Sequence, residues 1–332
     1  ENDDLPDLVE LAFNYLKVKK IRIAIFDTGI QYYHRNFSKV VKGGIDLVNT
    51  NNGDKRKKKG KLGAPLDDNG HGSHVAGIIC AALDHGGKWG KGAQIELYSV
   101  KILDEKAMGD LSNIIMGLQW AIDNDIDIVN MSIGYSQDSQ AVRRAVRVVH
   151  NAGLIMVASV GNQSNWDDKI ILAVEGGAAD GGAADGGAAD GGAADGGVAD
   201  GSVSETLPIY SVMYPARYPE IISVGASTPF GELASYSNFG EEMDVMAPGS
   251  NIVSVDVTNG HVRNGFGVCS GTSQAASHVT AAAALMLSLD PTLGPKKLKN
   301  ILLETSTITA YGPAGEINLA GALERIIEMG QN

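Results

Sequence analysis

Only two cysteines, Cys80 and Cys269, occur in 332 residues. Two are too few for a disulfide scaffold, and their separation does not fit the paired spacing of a zinc site, so both read as free thiols. No apolar run approaches the ~20 residues that a membrane-spanning helix needs. Basic residues are in deficit, 27 Lys and Arg against 39 Asp and Glu. The net charge of -12 argues against nucleic acid as a partner. No Gly-x-Gly-x-x-Gly follows Phe26, which excludes a dinucleotide site on the first strand. What the chain does have is 44% hydrophobic residues, enough for a sizeable core in one large α/β domain or two smaller ones.

Residues 1–20 are polar, with Leu8, Leu11, Ala12, Tyr15 and Leu16 at helical spacing, and predict a short N-terminal surface segment ahead of a main domain over 21–332. Ile21 to Phe26 reads as a buried strand ending in Asp27-Thr28-Gly29. A carboxylate at the carboxyl end of a strand in an α/β sheet lies where such sheets carry their sites. Residues 95–102, 126–133 and 154–160 read as further strands; 111–124, 140–151, 295–304 and 320–329 read as helices. This alternation predicts a mostly parallel central sheet with helices on both faces. Lys55 to Lys61 holds six basic residues and reads as a solvated loop. Residues 176–200 are five pentapeptides, four Gly-Gly-Ala-Ala-Asp and one Gly-Gly-Val-Ala-Asp. They read as a flexible insertion, 176–202, whose five-residue period does not fit the nine-residue register of calcium β-rolls.

Ser273 opens a helix of small residues, Val279 to Met286 among them. A helix N-terminus presents unpaired N–H groups and a positive dipole end. A serine hydroxyl held there can attack a carbonyl while its own N–H supports the oxyanion. A polar cap before an Ala-rich core helix reads the same way in isolation. His71 at another helix start and Asp27 at a strand end separate the two readings, because a serine nucleophile needs a base and that base needs a carboxylate. Asn162 follows a strand and offers a side-chain N–H as a second oxyanion donor. Asp-Thr-Gly also marks aspartic proteases, but those need two copies and this chain has one.

Asp27-Thr28-Gly29, Gly70-His71-Gly72-Ser73-His74-Val75-Ala76-Gly77 and Gly271-Thr272-Ser273 stand in that order. Val129-Asn130-Met131-Ser132-Ile133-Gly134 and Asp244-Val245-Met246-Ala247-Pro248-Gly249 lie between the second and third. Together these blocks resemble the subtilisin-like serine proteases, the subtilases, from roughly Lys20 to Ala322. Asp…His…Ser is the chain order known for subtilisin. The resemblance implies a three-layer subtilisin-like α/β fold and a serine endopeptidase working through an acyl-enzyme. Ser273 would be the nucleophile, His71 the general base and then acid, Asp27 its orienter and Asn162 the oxyanion donor. A catalytically inactive binding module on the same fold is the competing reading.

The resemblance further implies extended peptide or protein substrates, held as an added strand between the rims Ala107-Met108-Gly109 and Ser132-Ile133-Gly134. Leu111, Ile114 and Ile133 would line an apolar pocket for the residue four before the scissile bond, although Ile114 reads equally as core. Ala158, Ser159 and Gly161 would form part of the pocket for the residue just before the cut. The repeat insertion falls between Asn162 and Tyr214, on the wall of that pocket, so no primary specificity carries over. A structural calcium ion is implied on Asp84, Asn36 and the carbonyls of Ala82, Gly86 and Lys88, with no organic cofactor. The family's own inhibitory propeptide is an implied partner outside this chain, and secretion is favoured over an intracellular location. Gln274 stands where the family usually has Met, which predicts lower sensitivity to peroxide. Ser277 stands where it usually has proline, leaving the first helical turn less pre-set. Tyr214-Pro215 resembles a cis bond of the family. His74 and His278 read as structural, and the sequons at Asn36, Asn130 and Asn162 as chance matches.

Overall fold

Ile21–Asp27 (β1) lies in the interior of a seven-stranded sheet, with parallel neighbours on both sides. The computed structural model describes residues 20–37, 39–48, 64–83, 95–164, 211–257, 265–309 and 314–330. The predicted N-terminal helix, the basic loop, the pentapeptide insertion and Asp84, Gly86 and Lys88 lie outside these residues. The elements after β1 are β2 (Val41–Asp46), α1 (His71–Leu83), β3 (Ile95–Lys101), α2 (Leu111–Asp123), β4 (Ile128–Met131), α3 (Gln140–Asn151) and β5 (Ile155–Ser159). There follow β6 (Ile222–Ser227), β7 (Val245–Pro248), β8 (Ile252–Asp256), β9 (Gly265–Cys269), α4 (Thr272–Leu289), α5 (Pro295–Thr305) and α6 (Leu319–Gly330).

The main sheet runs β2-β3-β1-β4-β5-β6-β7, parallel throughout, while β8 and β9 form a separate antiparallel ribbon. Side chains alternate across the sheet. Ile21, Ile23 and Ile25 join a core with α1, α4, α5 and α6; Ala24 and Phe26 join a second core with α2 and α3. This is the three-layer α/β architecture, and burial on both faces explains why β1 reads as an almost unbroken apolar run. Nearly every residue of α4 is buried, and its small residues Ala281 to Ala284 let it lie under the sheet and against α1.

The chain runs outward from β1 to β2 and β3, then crosses back to β4 and continues the other way. The crevice of such a sheet opens at the carboxyl ends of the strands where the winding direction changes. Asp27 ends β1 there, and Ser132 follows β4. The expected strand 126–133 is paired only over Ile128–Met131. Ile126 and Ile133 are buried but outside the ladder. The Tyr214–Pro215 bond is cis.

Candidate active site

Asp27 is fully buried at the end of β1, and its Oδ1 accepts from the Thr28 amide at 2.7 Å, with Thr28 Oγ1 3.2 Å away. His71 is the first residue of α1, and its Nδ1 lies 2.9 Å from both Asp27 carboxylate oxygens. An ionised carboxylate only accepts, so Nδ1 carries the proton and Nε2 is the basic nitrogen of the neutral ring.

The start of α1 is fixed by Asp67. Its Oδ1 accepts from the amides of Asn69 (3.0 Å) and Gly70 (2.8 Å) and from Thr28 Oγ1 (2.8 Å). Its Oδ2 accepts from Ser73 N (2.9 Å) and Ser73 Oγ (2.6 Å). A buried carboxylate against a helix N-terminus satisfies orphan amides and complements the dipole. Asp67 thereby ties the Asp27 loop to the helix carrying His71. Sequence reasoning gave it no role, although an Asp shortly before an apolar helix is a start signal.

Ser273 is buried in the first turn of α4. Among the described residues its Oγ makes no hydrogen bond, so Asp27 and His71 are joined directly while the serine hydroxyl is not bonded to the ring. α4 packs along α1, and next to Ser273 the Gln274 Nε2 lies 3.4 Å from His74 Nδ1. The amides of Thr272, Gln274 and Ala275 are occupied by Asn162 Oδ1 and by the Gly271 carbonyl. Among the described residues the Ser273 N–H is the first-turn donor left over. Asn162 Oδ1 accepts from Thr272 N at 2.8 Å and Thr272 Oγ1 at 2.9 Å, and Thr272 Oγ1 accepts from the Gly161 amide at 3.3 Å. With its oxygen so held, Asn162 presents Nδ2 beside Gly271, 3.2 Å from where a Cβ there would stand.

The Ser273 carbonyl accepts from Ser132 Oγ (3.3 Å) and from Ser277 Oγ (2.8 Å). Ser277 therefore back-bonds the first turn of α4. Asn130 links Ser132 to Thr280, donating to Ser132 Oγ at 3.0 Å and accepting from Thr280 Oγ1 at 2.7 Å. It is fully buried, which rules out a glycan on its sequon.

Burial holds His74 neutral, with the charge of His71 a smaller cause, and its pKa falls to about 4. Burial lowers His278 as well, and its Nδ1 lies 3.0 Å from the Gln274 carbonyl oxygen. Burial, then Asp256, raises the Cys269 thiol, so it is not poised as a thiolate.

Of the predicted cleft residues, Met108 has its amide and carbonyl both engaged with Asp104, at 2.9 Å each. Ala107 sits at φ +58 in the same turn. Ile114 and Ile133 are buried members of the second core, with Leu111 partly buried against them. Ala158 and Ser159 are buried in β5, and Gly161 follows at φ +102. Of the predicted calcium ligands only Asn36 and Ala82 lie among the described residues. There, no group of three or more His, Cys, Asp or Glu is placed to hold a metal, and no helix is long and apolar enough to cross a membrane.

The chain matches the Subtilase family over residues 18–322. It is 31% identical over 311 residues to Subtilisin DY of Bacillus licheniformis, covering 93% of this chain and 92% of that protein. It is 32% identical over 307 residues to Subtilisin E of Bacillus subtilis (strain 168), covering 92% of this chain and 66% of that protein. The crystal structure of a cold adapted subtilisin-like serine proteinase matches with a TM-score of 0.63 at 25% identity, covering 92% of this chain and 89% of that one.

Proposed function

The chain belongs to the subtilase family and is a subtilisin-like serine endopeptidase, and from that premise we propose that it cleaves peptide bonds through an acyl-enzyme on Ser273. The observation that carries the proposal is the His71 Nδ1 contact to both oxygens of the buried Asp27, at 2.9 Å each. That contact sets the tautomer, and it makes Nε2 the acceptor for the Ser273 proton as the hydroxyl attacks. Asp27 then stabilises the imidazolium, which returns the proton to the leaving amine. The oxyanion falls to Asn162 Nδ2 and the Ser273 N–H, both preorganised by the network through Thr272. Water, deprotonated by the same imidazole, releases the acyl group.

The substrate lies extended between two rims. With Met108 engaged in its own turn, the Ala107 carbonyl and the Gly109 amide are the groups assigned to pair with it, opposite Ser132 to Gly134. An inhibitory propeptide and a secretory route follow the family in the same reading.

The test is a fluorophosphonate, which reacts only with an activated serine. One label per chain is expected on the parent protein and none on Ser273→Ala. No label on a folded parent protein would promote the inactive binding module.

A further inference from the structure

The segments that follow β4 and β5 leave the sheet side by side, one carrying Gly134 and the other Gly161. A third segment is laced across the gap between them. The Met213 amide donates to the Val160 carbonyl at 3.0 Å, and Tyr135 and Tyr214 exchange both backbone hydrogen bonds, at 2.8 and 3.0 Å. The Met213 backbone is thus fixed from both walls.

Its side chain fills what lies between them. A Cβ on Gly134 would stand 3.1 Å from the Met213 sulfur, and a Cβ on Gly161 would stand 2.8 Å from it. One sulfur in contact with two wall glycines means that the slot is no wider than a thioether. The Gly161 wall cannot back away. Asn238 holds it through its amide to the Gly161 carbonyl (2.9 Å) and through its side chain to Gln163 Oε1 (2.8 Å) and the Ser211 carbonyl (3.0 Å). Gly161 directly precedes Asn162, so this slot borders the oxyanion donor. Met213 as a residue is half-buried.

Resting on the triad reading above, we infer that Met213 is the floor of the pocket for the residue just before the cut and restricts that residue to glycine, alanine or serine. A larger side chain must displace the sulfur from between two walls of fixed backbone. Sequence alone did not point to this residue, because nothing local marks Met213 as lying between Gly134 and Gly161.

The experiment is a set of peptides differing only at that position, cleaved by the parent enzyme and by Met213→Ala and Met213→Gly, with rates expressed per fluorophosphonate-labelled site. In the parent, kcat/KM for alanine is expected to exceed that for phenylalanine or leucine by about tenfold or more, and the glycine variant is expected to narrow or reverse that ratio by a similar factor. A labelled parent enzyme that cleaves after phenylalanine or leucine as fast as after alanine overturns the inference alone. An unchanged ratio in labelled variants does the same. No label on the parent overturns the triad reading and takes the inference with it. The parent profile decides by itself if a variant fails to fold.

Discussion

A Cβ on Gly72 would stand 3.0 Å from Oδ1 of Asp27 and 2.2 Å from the carbonyl oxygen of Gly29, so α1 meets the end of β1 with no space for a side chain. His71 is the adjacent residue, and this close approach brings its ring onto the carboxylate. Gly72→Ala must therefore push α1 away from backbone that cannot yield. The expected cost is about 1–3 kcal/mol of stability, with a fall in kcat larger than any rise in KM. Urea unfolding and steady-state kinetics on one peptide check both. A variant with parental kcat would show that the helix can slide without disturbing the Asp27–His71 pair.

Lys101 gives a second, independent hold on the same loop. It is the register partner of Asp27 across β1 and β3, is 2% exposed, and donates to the carbonyls of Thr28 (2.6 Å) and Leu103 (2.7 Å) and to Asp68 (2.6 Å). Lys101→Met strands two buried carbonyls at about 1–3 kcal/mol each, so a total loss of about 2–6 kcal/mol is expected. Asp68 is 49% exposed, and Asp68→Asn should cost less than about 1 kcal/mol. Denaturant midpoints of the two variants compare them directly. Equal losses would mean that the ion pair, and not the carbonyls, is what Lys101 holds.

The parts of this site legible in the sequence are those set by local chemistry. β1 was readable because both its faces are buried, and α3 because apolar residues recur along one side behind Ser139, whose Oγ accepts from Val142 N at 3.4 Å. β2 was not readable. It is an edge strand, paired on one side only among the described residues, and its Gly43 and Gly44 carry no pattern. The β8–β9 ribbon was also missed, since Val253 and Val268 lie exposed and opposite each other. Lys101, Thr272 and Met213 take their roles from partners far away in the chain, and no window of sequence holds both members of such a pair.

Thr272 tests whether the oxyanion donor is oriented from behind. Its hydroxyl accepts from the Gly161 amide and donates to Asn162 Oδ1. Thr272→Val keeps the shape and removes both hydroxyl bonds, while the Thr272 amide still donates to Asn162 Oδ1. Since the donor is weakened and not deleted, kcat is expected to fall about tenfold with KM little changed. Fluorophosphonate labelling should slow in parallel. A drop confined to KM would place Thr272 in ground-state binding instead.

His74 sets an acid limit on stability that is separate from catalysis. Burial lowers its pKa to about 4, and burial also lowers His34 and His278. In the unfolded chain a histidine takes its proton near the usual value of about 6.5. Between these values the unfolded state binds a proton that the folded state refuses, so stability is complete above about pH 6.5 and declines as pH falls towards 4. For His74 alone the span corresponds to about 3 kcal/mol, and the other two histidines add in the same direction. Urea midpoints of Ser273→Ala, chosen to prevent self-digestion, should be level from pH 8 to 7 and then fall steadily to pH 4. His74→Gln should remove the largest single part of that slope. An unchanged slope in His74→Gln would assign the acid limit to His34 and His278.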